Sequence, residues 1–259
     1  MNILENIVAT KVEEIALLKK KKNCSDFINE ELFHHTCVSL HHSLHQQRFA
    51  IIAEIKRASP SAGIFRKEIV PEEIATIYSE NGATGISVLT DEKYFNGSLH
   101  DLKKARAVVS LPLLRKDFIL DEIQIYEAKA YGADAILLIA KILEKNQIED
   151  LFFCTRELGM EALIELYDEN EIENLDFGNM KLIGVNNRNL ETFQIDIRRT
   201  VQMSKYIPTD CCVVSESGIA SADDVRFLAE HNIHAALVGE HLMRSEHPGE
   251  TLKKLVSIF

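Results

Sequence analysis

From residue 49 onward the chain alternates two hydrophobic patterns. Runs of four to seven mostly apolar residues give way to segments in which apolar side chains recur every three or four positions. The first pattern marks strands covered on both faces, and the second marks amphipathic helices. It predicts strands over 49–55, 85–89, 111–115, 133–139, 161–166, 181–185, 211–215 and 235–238. Helices are predicted over 71–80, 99–109, 122–131, 145–158, 197–205, 221–230 and 248–258, with a short one near 169–175. Gly82-Ala83 and Gly132-Ala133 sit where a helix must end and turn into the next strand. Eight strand-then-helix units suit a (β/α)8 TIM barrel. An open doubly wound sheet is the alternative, but no GxGxxG follows the first strand.

Ahead of the barrel, Ile3, Leu4, Ile7, Val8, Val12, Ile15, Leu17 and Leu18 keep helical spacing over 3–20, and the Lys19–Lys22 run reads as a solvated helix end. Residues 23–49 look like a polar connection. They hold His34, His35, His41, His42 and His45, yet no carboxylate or thiolate completes a convincing ligand set, so no metal site is expected. The whole reads as a single domain over 1–259, with a helical extension over 1–48 and the barrel over 49–259.

Composition narrows the function. A net charge of −11 argues against a nucleic-acid or anionic-membrane partner, which needs a basic face. A local pocket can still be positive and bind a small anion. The five cysteines include no CxxC pair and suit a reducing cytoplasm, and neither a signal peptide nor a membrane-length apolar run is apparent.

In a parallel barrel the active site lies at the C-terminal strand ends. Polar residues collect there: Glu54 and Lys56 on strand one, Lys116 on strand three and Glu165 on strand five. Asn186 and Arg188 follow strand six, and Glu216 ends strand seven. Glu54 and Lys56 are two residues apart and so share one strand face. A structural ion pair would explain those two; a lysine beside a glutamate in a desolvated cleft suits acid–base work. Ser217-Gly218 and Gly239-Glu240 follow the last two strands, where backbone N–H groups commonly hold a phosphate. This pattern points to an enzyme acting on a small phosphorylated compound.

Several motifs go further. Ile52-Ala53-Glu54-Ile55-Lys56-Arg57-Ala58-Ser59-Pro60-Ser61 resembles the signature of indole-3-glycerol-phosphate synthases. Leu89–Ser98, Leu114–Ile119, Asn186–Leu190, Ser215–Ile219 and Val238–Glu240 match the same family in order, over essentially the whole chain. The resemblance implies ring closure, decarboxylation and dehydration of 1-(2-carboxyphenylamino)-1-deoxyribulose 5-phosphate in tryptophan biosynthesis, with no cofactor or metal. It implies Lys116 as principal general acid, Glu165 as base of the dehydration, Lys56 as a lysine contacting substrate anions, and Glu54 as its holder. Asn186 and Arg188 would position substrate and glutamates, and Glu216 would belong to the substrate-binding set. Phe95 and Phe118 would wall the aryl ring and Ser59 would touch substrate from a mobile loop. Ser217, Gly218, Gly239 and Glu240 would hold the phosphate. Ala62 stands where many members carry a basic residue, and Asn187 and His241 occupy variable positions. No fused isomerase domain is expected, and a monomer or weak homodimer is. A Schiff-base aldolase using Lys56 or Lys116 and a barrel that binds without catalysing are the rivals.

Overall fold

A computed structural model of the chain describes residues 3–66, 68–189 and 192–258; Leu190, the end of one motif, lies outside them. Eight parallel strands close into a barrel: β1 (Ala50–Ile55), β2 (Gly85–Leu89), β3 (Leu113–Lys116), β4 (Ala135–Ile139), β5 (Glu161–Leu166), β6 (Leu182–Asn186), β7 (Cys212–Glu216) and β8 (Ala235–Val238). Each pairs with its neighbours in sequence, and β8 closes on β1. Strand side chains alternate between two cores, as their two-residue period requires. Ile51, Ala53, Ile55, Ile136, Leu138 and Val213 pack outward among the helices. Ala50, Ile52, Leu114, Leu137, Leu163, Val214 and Leu237 fill the barrel.

That alternation decides where the polar residues go. Glu54 follows Ile52 on the inward face of β1, Lys116 follows Leu114 on β3, and Glu165 follows Leu163 on β5. Asn186 and Glu216 take the same inward step on β6 and β7, where they are register partners. Strands β3, β6 and β7 each run one residue past the predicted end, because their last residue is polar yet faces inward.

The extension departs from expectation. Segment 23–49 carries α2 (Cys24–Ile28), a 3-10 turn (Glu31–His34) and α3 (Leu40–His45), after α1 (Ile3–Lys19). Its apolar residues Phe27, Phe33, Leu40 and Leu44 are buried. Leu40 and Leu44 plug the barrel at its N-terminal end, with Leu40 so close to Gly85 at the start of β2 that a Cβ there would collide with it. Ser39 caps α3 by accepting from His42 N–H and anchors it by donating to Glu161 at 2.6 Å.

Around the barrel run α4 (Pro71–Glu80), α5 (Glu92–Phe95), α6 (Leu99–Arg106), α7 (Glu122–Ala130) and α8 (Lys145–Glu157), with Pro71 opening α4 at its first turn. Between β5 and β6 there is only a 3-10 turn, Glu169–Asn174. Then follow α9 (Arg198–Met203), α10 (Ala222–Glu230), an unpredicted α11 (Glu240–Arg244) and α12 (Pro248–Val256). No helix among the described residues is long and apolar enough to cross a membrane.

Candidate active site

The C-terminal strand ends surround a cavity of about 600 Å3. Its lining includes Glu54, Lys56, Ser59, Phe95, Lys116, Phe118, Glu165, Asn186, Arg188, Glu216, Ser217, Gly218, Gly239 and Glu240. Every site residue expected from the sequence therefore reaches one space. They come from seven of the eight strands or the loops after them, so closure of the barrel is what assembles them.

Lys116 stands at the centre. Its Nζ lies 2.6 Å from Glu216 Oε2 and 3.3 Å from Glu165 Oε2. Both glutamates are 1% exposed. Burial opposes charge on the lysine, but Glu216, Glu165 and Glu54 overcome it and hold Lys116 as an ammonium. One ammonium facing two buried carboxyls leaves room for one more proton. Glu165 also accepts from Asn186 Nδ2 at 3.2 Å, and a Tyr167 hydrogen bond favours its charged form. Burial pushes Glu165 up, but Lys116 and these donors bring it below the usual carboxylate range. Glu216 goes the other way: burial and the Glu165 charge raise it well above that range despite Lys116. Of the two carboxyls, Glu216 is thus the one that favours that extra proton.

Lys56 pairs with Glu54 at 2.7 Å, and its Nζ lies 5.7 Å from the Phe65 ring centroid. Gly239 makes the pair possible, since a Cβ there would overlap Glu54 Oε1. On the apolar wall the Phe95 and Phe118 rings stand 6.1 Å apart at 39°. Asp91 caps α5, which carries Phe95, by accepting from Tyr94 N–H.

The loops after β7 and β8 form the other wall. Ser217 and Gly218 have φ of 70° and 88°, and a Cβ on Gly218 would strike Ile195. A serine in the left-handed region must be held there. Asn187 does so: its Nδ2 donates to Ser217 O at 3.0 Å and Ser215 Oγ at 2.9 Å, while its Oδ1 accepts from Thr200. Arg188 lies 3.5 Å from Glu240, which also pairs with Arg244 at 3.0 Å.

Several functional positions escape the sequence pattern. Ile3, Leu4 and Ile7 of α1 line the cavity, which makes the extension its roof. Lys11 secures that roof through Asp91 at 3.1 Å and Asp117 at 3.0 Å. Tyr167, Arg244 and Gly184 also contribute; a Cβ on Gly184 would overlap Glu216 Oε1. Tyr167 and Gly184 continue the inward alternation of β5 and β6, a signal present in the sequence. Lys11 and Asn187 act over long chain separations that local pattern does not reveal.

The family model described as indole-3-glycerol phosphate synthase matches residues 4–255. The chain belongs to the indole-3-glycerol phosphate synthase family. It is 42% identical to the indole-3-glycerol phosphate synthase of Polynucleobacter necessarius, covering 99% of both chains. It is 44% identical to that of Burkholderia lata, covering 98% of both. Family membership makes it a carboxy-lyase of tryptophan biosynthesis, as the sequence motifs imply. Among solved structures it is similar to the tryptophan synthase alpha subunit of Legionella pneumophila, with a TM-score of 0.61 at 11% identity over 85% of this chain and 97% of that one. Thiamine phosphate pyrophosphorylase from Pyrococcus furiosus gives 0.60 at 15% identity, covering 85% and 97%. At these identities the likeness extends to the barrel fold alone.

Proposed function

We propose that Lys116 is the general acid of an indole-3-glycerol-phosphate synthase reaction and that Glu165 is the base of its dehydration. The observation that carries this reading is the buried Lys116 ammonium held between Glu165 and Glu216 on the cavity floor. The aryl carbon bearing the carboxylate attacks the ketose carbonyl, a C–C bond forms, and Lys116 gives its proton to the carbonyl oxygen. Loss of carbon dioxide returns the C–C bonding pair to the ring. The hydroxyl then takes a proton from the Lys56 ammonium and leaves as water with the C–O bonding pair, while Glu165 removes a proton from the adjacent ring carbon, whose C–H pair becomes the new C=C bond. Glu165 and solvent return the protons to the lysines. A preorganised ammonium aimed at the developing oxyanion stabilises the transition state without reorganisation.

Lys56 and Glu54 meet the substrate beside this centre, with Asn186 orienting Glu165. Phe95, Phe118 and the α1 residues enclose the aryl ring, and Ser59 closes over it from a loop free to move. Ser217, Gly218, Gly239 and Glu240 shape the phosphate cup, and Arg188 and Arg244 exchange Glu240 for the phosphate. The Schiff-base alternative needs a free amine, whereas the surrounding glutamates hold Lys116 as an ammonium. The substrate is a small phosphorylated molecule, handled in the cytoplasm by a monomer or weak homodimer without a metal or cofactor in the reaction.

Indole fluorescence should rise when the protein meets the anilino-deoxyribulose phosphate with chelator present, and Lys116→Ala should abolish the rise. No rise from folded wild-type protein would overturn the assignment of reaction, and borohydride trapping with a keto-sugar phosphate would then test the aldolase.

A further inference from the structure

A cluster of metal-ligating side chains lies at the other face of the barrel, around His35. Asp134 directly precedes β4 and so stands at the N-terminal end of the strands. It meets His35 and Cys37 of the extension. His35 Nε2 lies 3.2 Å from Asp134 Oδ1 and 3.7 Å from Cys37 Sγ. The three ligand atoms lie within 4.8 Å of one another. A tetrahedral ion with bonds of about 2.0 Å to nitrogen and oxygen and about 2.3 Å to sulfur separates such ligands by about 3.3–3.6 Å.

The surroundings match those of a built site. A metal-bound histidine usually donates its other ring N–H to a carbonyl or carboxylate, which sets ring orientation. His35 Nδ1 lies 2.6 Å from Leu32 O, so its N–H is spent there and Nε2 faces the cluster. Asp134 is wholly buried and held on both oxygens: Oδ1 accepts from Val38 N–H at 2.9 Å, Oδ2 from Leu113 N–H at 2.8 Å and from Arg106 at 2.7 Å. Lys129, 5% exposed, donates to Cys37 Sγ and to His35 O, both at 2.9 Å. Among the described residues no carboxylate forms an ion pair with Lys129, so a charged donor lies directly against the sulfur.

We propose that His35 Nε2, Cys37 Sγ and Asp134 Oδ1 bind one zinc-class divalent ion that staples the extension to the base of the barrel. Imidazole, thiolate and carboxylate together favour zinc over magnesium or calcium, which prefer oxygen alone. Binding displaces the thiol proton, and the Nε2 proton where the imidazole carries one, and both go to solvent. The rival occupant is that Nε2 proton by itself: Asp134 and Cys37, with Asp134 foremost, push the His35 imidazolium up to about 9.

The test is a Co2+ titration of the full-length protein, read as thiolate-to-metal charge-transfer absorption. The expected result is a band that saturates at one equivalent, is displaced by Zn2+, is lost in Cys37→Ser and persists in Cys24→Ser. Zn2+ should also raise the melting temperature of wild type and not of Cys37→Ser, with turnover unchanged. Absence of the band, or its persistence in Cys37→Ser, would overturn the site and leave the proton as its occupant. If Cys37→Ser does not fold, His35→Gln takes its place. At least tenfold weaker Co2+ binding is expected there, and unchanged affinity overturns the proposal.

Discussion

At the scale of single residues, the active centre depends as much on absent side chains as on present ones. Gly184 leaves the space that Glu216 occupies, and Glu216 holds Lys116. Gly184→Ala should therefore displace the carboxylate and the ammonium with it. A misplacement near 1 Å commonly costs about 100-fold in rate, and overpacking costs about 1–3 kcal/mol of stability. Steady-state turnover and urea unfolding measure the two losses, and full turnover in Gly184→Ala would show that the Glu216 position is unimportant. Lys116→Ala removes the proposed acid, and general acid–base groups contribute about 10²–10⁴-fold. Its kcat should fall by that order. Glu165→Gln keeps the shape and an acceptor for Asn186 but loses the base, so dehydration should slow by a similar order while KM changes little. A Glu165→Gln protein that releases product at the wild-type rate would remove Glu165 from the dehydration.

Elements position these residues, and α1 does so from outside the barrel. Lys11 on α1 is buried and pairs with Glu14 at 2.7 Å as well as with Asp91 and Asp117. Asp117 follows the proposed acid and is also tied to Arg115 at 3.0 Å and Thr90 at 2.5 Å. Removing one partner of a buried pair costs about 3–5 kcal/mol. Lys11→Met should lose stability toward the lower figure, because Arg115 still pairs Asp117. It should also raise KM more than it lowers kcat, since Ile3, Leu4 and Ile7 line the roof of the cavity, over the proposed aryl site, and carry no acid or base. Equal loss in both parameters would mean that α1 supports the catalytic centre itself. Strands β2, β5 and β8 and helix α4 were legible to the residue, because long apolar runs and a proline at the first turn mark them without ambiguity. The short helices of the extension were not. Leu40 and Leu44 are separated by histidines, and α3 spans six residues, too few for periodicity to stand out or for a helix to form without its neighbours. The charged lining residues were legible as polar positions at strand ends, and Ser59, Phe95 and Phe118 only through the family resemblance, whereas their supports came from distant segments. The His35 cluster shows the same limit, since its carboxylate lies 99 residues away in sequence.

For the whole molecule, proton binding links both ends of the barrel to stability, through terms of both signs. At the base, His41, His45 and His234 stand in a row with ring centroids 4.5 and 5.1 Å apart. Glu161, His42 and Lys181 also face His41, and the net result of burial and neighbouring charge is a lowered His41; burial and the other two rings lower His234. The unfolded chain therefore takes up protons first as pH falls through about 6.5, and this term is present above that pH and lost below it. At the cavity, Glu165 and Asp117 are lowered, so they add stability above about 4 that disappears in stronger acid. Glu216 is raised, so the folded protein binds the extra proton and this term fades as pH rises above about 4.3. The histidine and Glu216 terms oppose each other between pH 5 and 7 and must be separated by variants. His41→Gln should gain on wild type in urea-unfolding free energy as pH falls from 7.5 to 5.5. Glu216→Gln should gain on wild type as pH rises from 5 to 8, because an uncharged amide there has no proton to lose. A difference from wild type that stays constant with pH in the first variant would remove the histidine row from the linkage, and in the second would place the shared proton elsewhere than on Glu216.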